Sequence, residues 1–138
     1  MRDGWDLARI RAHIDAGLPV AGLFGIEIAE TASAFAVAHM AGGPRALRPG
    51  GIVAGPALFA MADVATYALI LAATGDAAAV TVDLTINFLR AGVDTPVVAR
   101  AEPLRAGRRL FTADIRLASA ATDRLIAQAT ATYAMSDG

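Results

Sequence analysis

An α+β domain, with one long buried helix wrapped by a curved antiparallel sheet, is the fold class predicted for this 138-residue chain. Three observations predict it. Residues 55–73 are almost wholly Ala, Leu, Ile, Val, Met and Phe, with one carboxylate, Asp63, in the middle. A helix apolar on every side is buried or lies in a membrane. The residues after it alternate apolar and polar in long runs, the period of half-buried strands. In the last of those runs Ala127, Ala129 and Ala131 fall at every second place. Small side chains on one sheet face let a helix lie close.

A membrane span is the alternative to a buried core helix. The apolar run is long enough, since a crossing takes about 20 residues. Asp63 would then sit mid-bilayer, at roughly 2.5–3.5 kcal/mol. No one-sided Arg cluster flanks the run, and the alternating strands that follow read as a soluble sheet. The core-helix reading is therefore preferred.

Residues 5–16 fit an amphipathic helix with Trp5, Leu7, Ala8, Ile10 and Ile14 on its apolar face, capped by Asp3 or Gly4. Gly17-Leu18-Pro19 ends it, so residues 1–20 form an N-terminal helical segment of a single domain, 1–138. Strands are expected at 24–31 and 33–40, turning at Thr31-Ala32-Ser33. Residues 41–51 are a Gly- and Pro-rich loop. Pro56 just inside the start and Gly75 just past the end bound the central helix. In 78–89, Val80, Val82, Leu84, Ile86 and Phe88 take one face, with Thr81, Asp83, Thr85 and Asn87 on the other. Residues 91–96 turn. Residues 97–105 form a strand in which Pro103 marks an edge or bulge. Ala106-Gly107 turns into a strand over 109–119, with Phe111, Ala113, Ile115 and Leu117 on one face. Residues 125–135 are the last strand.

Composition narrows the function. Hydrophobic residues are 56% of the chain and charged ones 18%, so it is not disordered and has apolar surface to spare for a subunit contact. A net charge of −1 offers no footprint for nucleic acid. With no Cys there is no thiolate nucleophile and no Cys-based metal site. His13 and His39 lack metal-ligand spacing and are assigned to structure. No GxSxG elbow, phosphate loop or dinucleotide fingerprint is present. No secretory leader is visible, so a cytoplasmic protein is expected.

Four stretches carry a family resemblance: RPGGIVAGPALFAMADVA, AVTVDLTINFLRAG, RAGRRLFTADI and LIAQATATYA. Together they resemble the hotdog-fold acyl-CoA thioesterases of the phenylacetate-degradation (PaaI-like) group, from about Gly25 to Tyr133. The resemblance implies a hotdog fold, hydrolysis of acyl-CoA without metal or organic cofactor, a homodimer or dimer of dimers, and sites between protomers.

It also implies roles for single residues. Asp63 stands at the family's catalytic carboxylate, as general base on water or as nucleophile. A carboxylate on an apolar helix is costly unless hydrogen-bonded. Gly55 matches the first Gly of a His-Gly-Gly motif, with its N–H at the positive end of the helix as oxyanion donor. Pro56 replaces the second Gly, and fits the first turn, where its missing donor has no intrahelical partner. Ala54 stands where the family usually has His, and Arg48 where many members have Asn. A proton-carrying His is thus absent at that place, and Arg48 is a candidate for the acyl end or a phosphate. Thr81 stands where relatives place Ser or Thr to hold the attacking water. Thr66 and Tyr67 share the helix face of Asp63 and could hydrogen-bond it; core filling is the plainer role for Tyr67. Arg90, Arg105, Arg108 and Arg109 are candidates for the nucleotide part of coenzyme A. Asp83 and Asn87 share a strand face with Thr81 and read as outward polar residues.

Besides a purely structural role, two rivals stand beside hydrolysis. One is a non-catalytic acyl-CoA or aromatic-ligand binder, favoured by the missing His and Asn. The other is a dehydratase, which generally needs a His beside the acid; none lies near this helix in sequence.

Overall fold

The computed structural model describes residues 3–41, 43–93 and 96–136. Helix α1 runs Leu7–Gly17 and buries Ile10 and Ile14. Ala8, expected on its apolar face, is exposed. The cap is Asp6, not Asp3 or Gly4: its carboxylate accepts the Arg9 N–H at 2.9 Å. The residues upstream are committed elsewhere. Trp5 N–H bonds to the Leu71 carbonyl at 2.9 Å. A Cβ on Gly4 would come within 1.8 Å of the Ala72 carbonyl oxygen, so only glycine permits this approach.

Pro19 ends α1 but also opens a second helix, α2, Pro19–Phe24, which Gly25 closes at φ 70°. The first strand therefore starts two residues later than expected. Strands β1 (Ile26–Ala32) and β2 (Phe35–Met40) form a hairpin turning at Ser33-Ala34. The loop expected over 41–51 is more ordered than its composition suggested. It holds a 3-10 turn, Pro44–Ala46, and a small hairpin of β3 (Leu47–Arg48) and β4 (Ile52–Val53). Gly42 lies outside the described residues.

The central helix α3 runs Gly55–Thr74, and Gly75 caps it at φ 69°, its N–H bonded to the Leu71 carbonyl at 3.0 Å. Leu58, Met61, Val64, Leu69, Ile70 and Leu71 are at most 3% exposed. Burial of each such side chain is worth about 1.5–3 kcal/mol. The long apolar run is thus the core of the domain, packed on β1, β2 and the last strands. One stripe stays open: Pro56 and Phe59 are exposed, while Asp63 and Tyr67 are half-buried.

Four further strands follow: β5 (Val80–Phe88), β6 (Val97–Ala106), β7 (Leu110–Ser119) and β8 (Leu125–Ala134). Among the described residues they join β1 and β2 in a six-stranded sheet of order β1-β2-β6-β7-β8-β5, antiparallel throughout. Phe111, Ala113, Ile115 and Leu117 face the helix as expected, as do Ala127, Ala129 and Ala131. The result is the hotdog fold. Pro103 lies where β6 has outrun β2, whose pairing stops at Ala36 and Ala101, and a bulge follows at once. Within the 91–96 turn, Val93 bridges to Ile52, while Asp94 and Thr95 lie outside the described residues.

Candidate active site

Asp63 lies on the open stripe of α3 and lines a cavity of about 260 Å³. Two hydroxyls hold it. Thr81 Oγ1 donates to Asp63 Oδ1 at 2.7 Å, and Tyr133 OH donates to the same oxygen at 2.7 Å. Tyr133 OH also approaches the Asp63 carbonyl oxygen at 3.1 Å. The carboxylate is therefore half-buried and hydrogen-bonded, which removes most of the cost of placing it on an apolar helix.

Thr81 reaches Asp63 because β5 breaks its own alternation. Thr81 pairs with Tyr133, but the next pairing is Asp83 with Thr132, which leaves Val82 as an extra residue. Leu84 then pairs with Ala131, and Ile86 with Ala129. The expectation that Thr81 shares a face with Asp83 and Asn87 is thus overturned. The bulge turns Thr81 to the helix side, with Leu84 and Ile86, while Asp83 and Asn87 point outward. A one-residue slip is enough to invert a strand face.

The helix neighbours of Asp63 do not bond it. Thr66 is fully buried, and its hydroxyl bonds back to the Ala62 carbonyl at 2.8 Å. Tyr67 OH donates to the Ala77 carbonyl at 2.8 Å. Since that carbonyl can only accept, the 2.9 Å contact between His13 Nε2 and Tyr67 OH requires His13 to donate. His13 and Tyr67 both line the Asp63 cavity, and Trp5 packs edge-on against the His13 ring at 5.1 Å. Helix α1 thereby supplies one wall, although no local signal links residue 13 to residue 63. His39 is exposed on β2. Among the described residues no three His, Asp or Glu side chains gather as a metal site.

Burial, and next the charge of Asp63, push the Tyr133 phenol well above its ordinary value. It stays protonated and remains a donor. Tyr67 is raised as well, by burial first and Asp76 second. Tyr133 is the residue that sequence reasoning missed. Its only local signal is an aromatic in the inward register of β8, after three alanines.

Gly55 belongs to a second region. It lines a cavity of about 410 Å³ with Ile52, Phe88 and Arg90. It lies eight positions along the helix from Asp63, about 12 Å of rise. Ala54 is the N-cap and gives no side-chain bond. The Ala57 and Leu58 N–H groups both turn to the Ala54 carbonyl, at 3.1 and 3.3 Å. Pro56 is exposed in the first turn. The Phe88 ring stands over Gly55, where an added Cβ would meet it at 3.2 Å. Arg48, on β3, is exposed and lines neither cavity.

The candidate arginines divide between the two ends of the sheet. Arg90 lines the Gly55 cavity and donates to the Leu125 carbonyl at 2.8 Å. Arg105, Arg108 and Arg109 are exposed around the β6–β7 turn. That turn lies at the Asp63 end, because Leu110 pairs with Ala134 and Ala134 with Val80.

Residues 50–133 match a family model described as the thioesterase superfamily. Among solved structures, one described as a candidate thioesterase from Silicibacter sp. superposes with a TM-score of 0.85 at 31% identity, covering 99% of this chain and 95% of that one. A thioesterase of Pseudomonas aeruginosa, crystallised as a point variant, gives 0.82 at 25% identity, covering 96% and 95%. A thioesterase of Haemophilus influenzae gives 0.83 at 21%, covering 96% and 92%, which bears on the fold alone. No curated protein sequence matches the chain.

Proposed function

Since this chain belongs to the thioesterase superfamily, we propose that it hydrolyses acyl-CoA thioesters to a free acid and coenzyme A. The observation that carries the reading is Asp63: a carboxylate at a cavity wall, bonded through one oxygen. Its other oxygen, Oδ2, takes a proton from water as the water oxygen bonds to the thioester carbonyl carbon. The carbonyl oxygen gains charge and is stabilised by the Gly55 N–H at the start of a helix. The C–S bond then breaks, its electron pair stays on sulfur, and coenzyme A leaves as a thiolate. The proton held by Asp63 passes to solvent or to that thiolate.

Within one chain Asp63 and Gly55 face separate cavities, so the site we propose is shared between protomers of a homodimer. Asp63 of one protomer would face Gly55 of its partner. A two-fold arrangement of that kind supplies both halves twice. The exposed apolar edge of β5, with Val80, Val82 and Phe88 each more than half exposed, supports a subunit contact there. Arg90, Arg108 and Arg109 then serve the phosphates of coenzyme A from the two protomers, and Tyr67 walls the acyl pocket. Placement in the phenylacetate-degradation group rests on the motif resemblance. The test is thiol release from acetyl-, hexanoyl- and phenylacetyl-coenzyme A. Release from at least one of them is expected. Binding without release from any would favour the non-catalytic ligand-binding reading.

A further inference from the structure

The polar shell around Asp63 is lopsided. Both hydroxyl donors go to Oδ1, each at 2.7 Å. Among the described residues, Oδ2 receives no hydrogen bond. An ionised carboxylate has about four acceptor positions, two on each oxygen. The two donors thus fill one oxygen and leave the other to solvent or substrate. They also arrive from separate strands, Thr81 from β5 and Tyr133 from β8, and these two residues are register partners in the sheet. Neither is on the helix that carries the acid.

We propose that Tyr133 is a positioning residue of this site. Together with Thr81 it clamps Oδ1 of Asp63 and so presents Oδ2 alone to the reacting water or carbonyl. The inference rests on the hydrolase reading above. Tyr133 is 3% exposed, so its ring is fixed by packing before it meets the carboxylate. Its hydroxyl can bond to Asp63 only as a donor, because an ionised carboxylate only accepts. Thr81 reaches the same oxygen only because Val82 bulges out of β5. With both donors in place, rotation of the carboxylate about its last bond breaks two charge-assisted hydrogen bonds at once. The clamp thereby selects one carboxylate orientation before substrate arrives. A mere filler at position 133 would need the ring and not the hydroxyl.

The test removes hydroxyls while keeping shape. In the full-length enzyme, Tyr133→Phe and Thr81→Val are each expected to lower kcat about 10- to 100-fold, with KM changed less than about two-fold, as for a misoriented catalytic group. Thr81→Ser, which keeps the hydroxyl, is expected to hold kcat within about three-fold of the parent. The double variant Tyr133→Phe/Thr81→Val should fall short of the product of the two single losses, because both donors act on one oxygen. Circular dichroism and melting temperature report whether each variant is folded. The clamp is overturned if folded Tyr133→Phe keeps the parent kcat. It is equally overturned if Thr81→Ser is as slow as Thr81→Val. An active parent that depends on Asp63 alongside an unaffected Tyr133→Phe removes the clamp and spares the hydrolase reading. A parent inert toward acetyl-, hexanoyl- and phenylacetyl-coenzyme A removes both.

Discussion

The two ends of the central helix are built in opposite ways. Around Asp63 the chain supplies polar partners of its own: Thr81 and Tyr133 on one carboxylate oxygen, with the linked His13, Tyr67 and Ala77 carbonyl beside them. Around Gly55 it supplies little but a helix start, an aromatic ring and one Arg whose visible bond goes to a backbone carbonyl. The first region looks after its acid without help. The second offers the Gly55 N–H and an apolar wall, and lacks a proton acceptor at the N-cap, where Ala54 stands. Neither end alone brings a carboxylate and a helix start to one cavity. One holds the carboxylate and the other the positive end of a helix, about 12 Å apart along the same axis.

The largest effect is expected from removing the Asp63 carboxylate, the base in the reaction proposed above. Asp63→Asn keeps the size and shape of the side chain, and is expected to lower kcat by about 10²–10⁴-fold while the protein stays folded. Thiol release on the best acyl-CoA, with a melting curve beside it, measures this. Full activity in that variant would take Asp63 out of the reaction.

A second experiment asks whether the two ends work in trans. A chain carrying Asp63→Asn is refolded together with one carrying Gly55→Val, a substitution that drives a branched side chain toward Phe88. Each variant alone should be nearly inactive. If each site draws its acid and its helix start from different protomers, mixed dimers hold one intact site. An equal mixture should then recover about one quarter of the parent activity. A mixture as inactive as its components would show that one chain carries the whole site.

Smaller effects separate packing from chemistry. Leu69→Ala removes a fully buried side chain of α3 that lines neither cavity. It should cost about 2–5 kcal/mol in denaturant unfolding, with kcat of the remaining folded enzyme near that of the parent. The smallest change concerns charge at the rims. Arg108→Ala and Arg109→Ala, both exposed, should each raise KM for acyl-CoA only a few-fold and leave kcat in place, as for a screened surface contact. A large loss of kcat in either would place the β6–β7 turn at the reacting atoms.

Much of the fold was legible without coordinates, because its signals are local. The ends of α3 were marked by Pro56 and Gly75, and both act where they were expected to. The inward faces of β7 and β8 followed from alternation alone. The structure departs from local rules where two of them compete. Pro19 marks the end of α1, yet proline is also a good first residue of a helix, and α2 begins there. Asp3 and Gly4 were sound cap candidates by residue type, yet the chain before α1 is drawn to the end of α3 by the Trp5 bond to Leu71.

From the sequence alone came the buried rod, the acid within it, and the sheet that covers it, because periodicity and capping are written in neighbouring residues. Tertiary structure decided what surrounds the acid. Tyr133 lies 70 positions from Asp63, and Thr81 lies 18 positions away on a strand whose face is set by one extra residue. His13 and Tyr67, 54 positions apart, meet in the same cavity wall. Contacts of that range carry no periodic trace along the chain. A strand that slips by one residue exchanges its two faces, so only the folded sheet fixes which hydroxyl reaches the carboxylate.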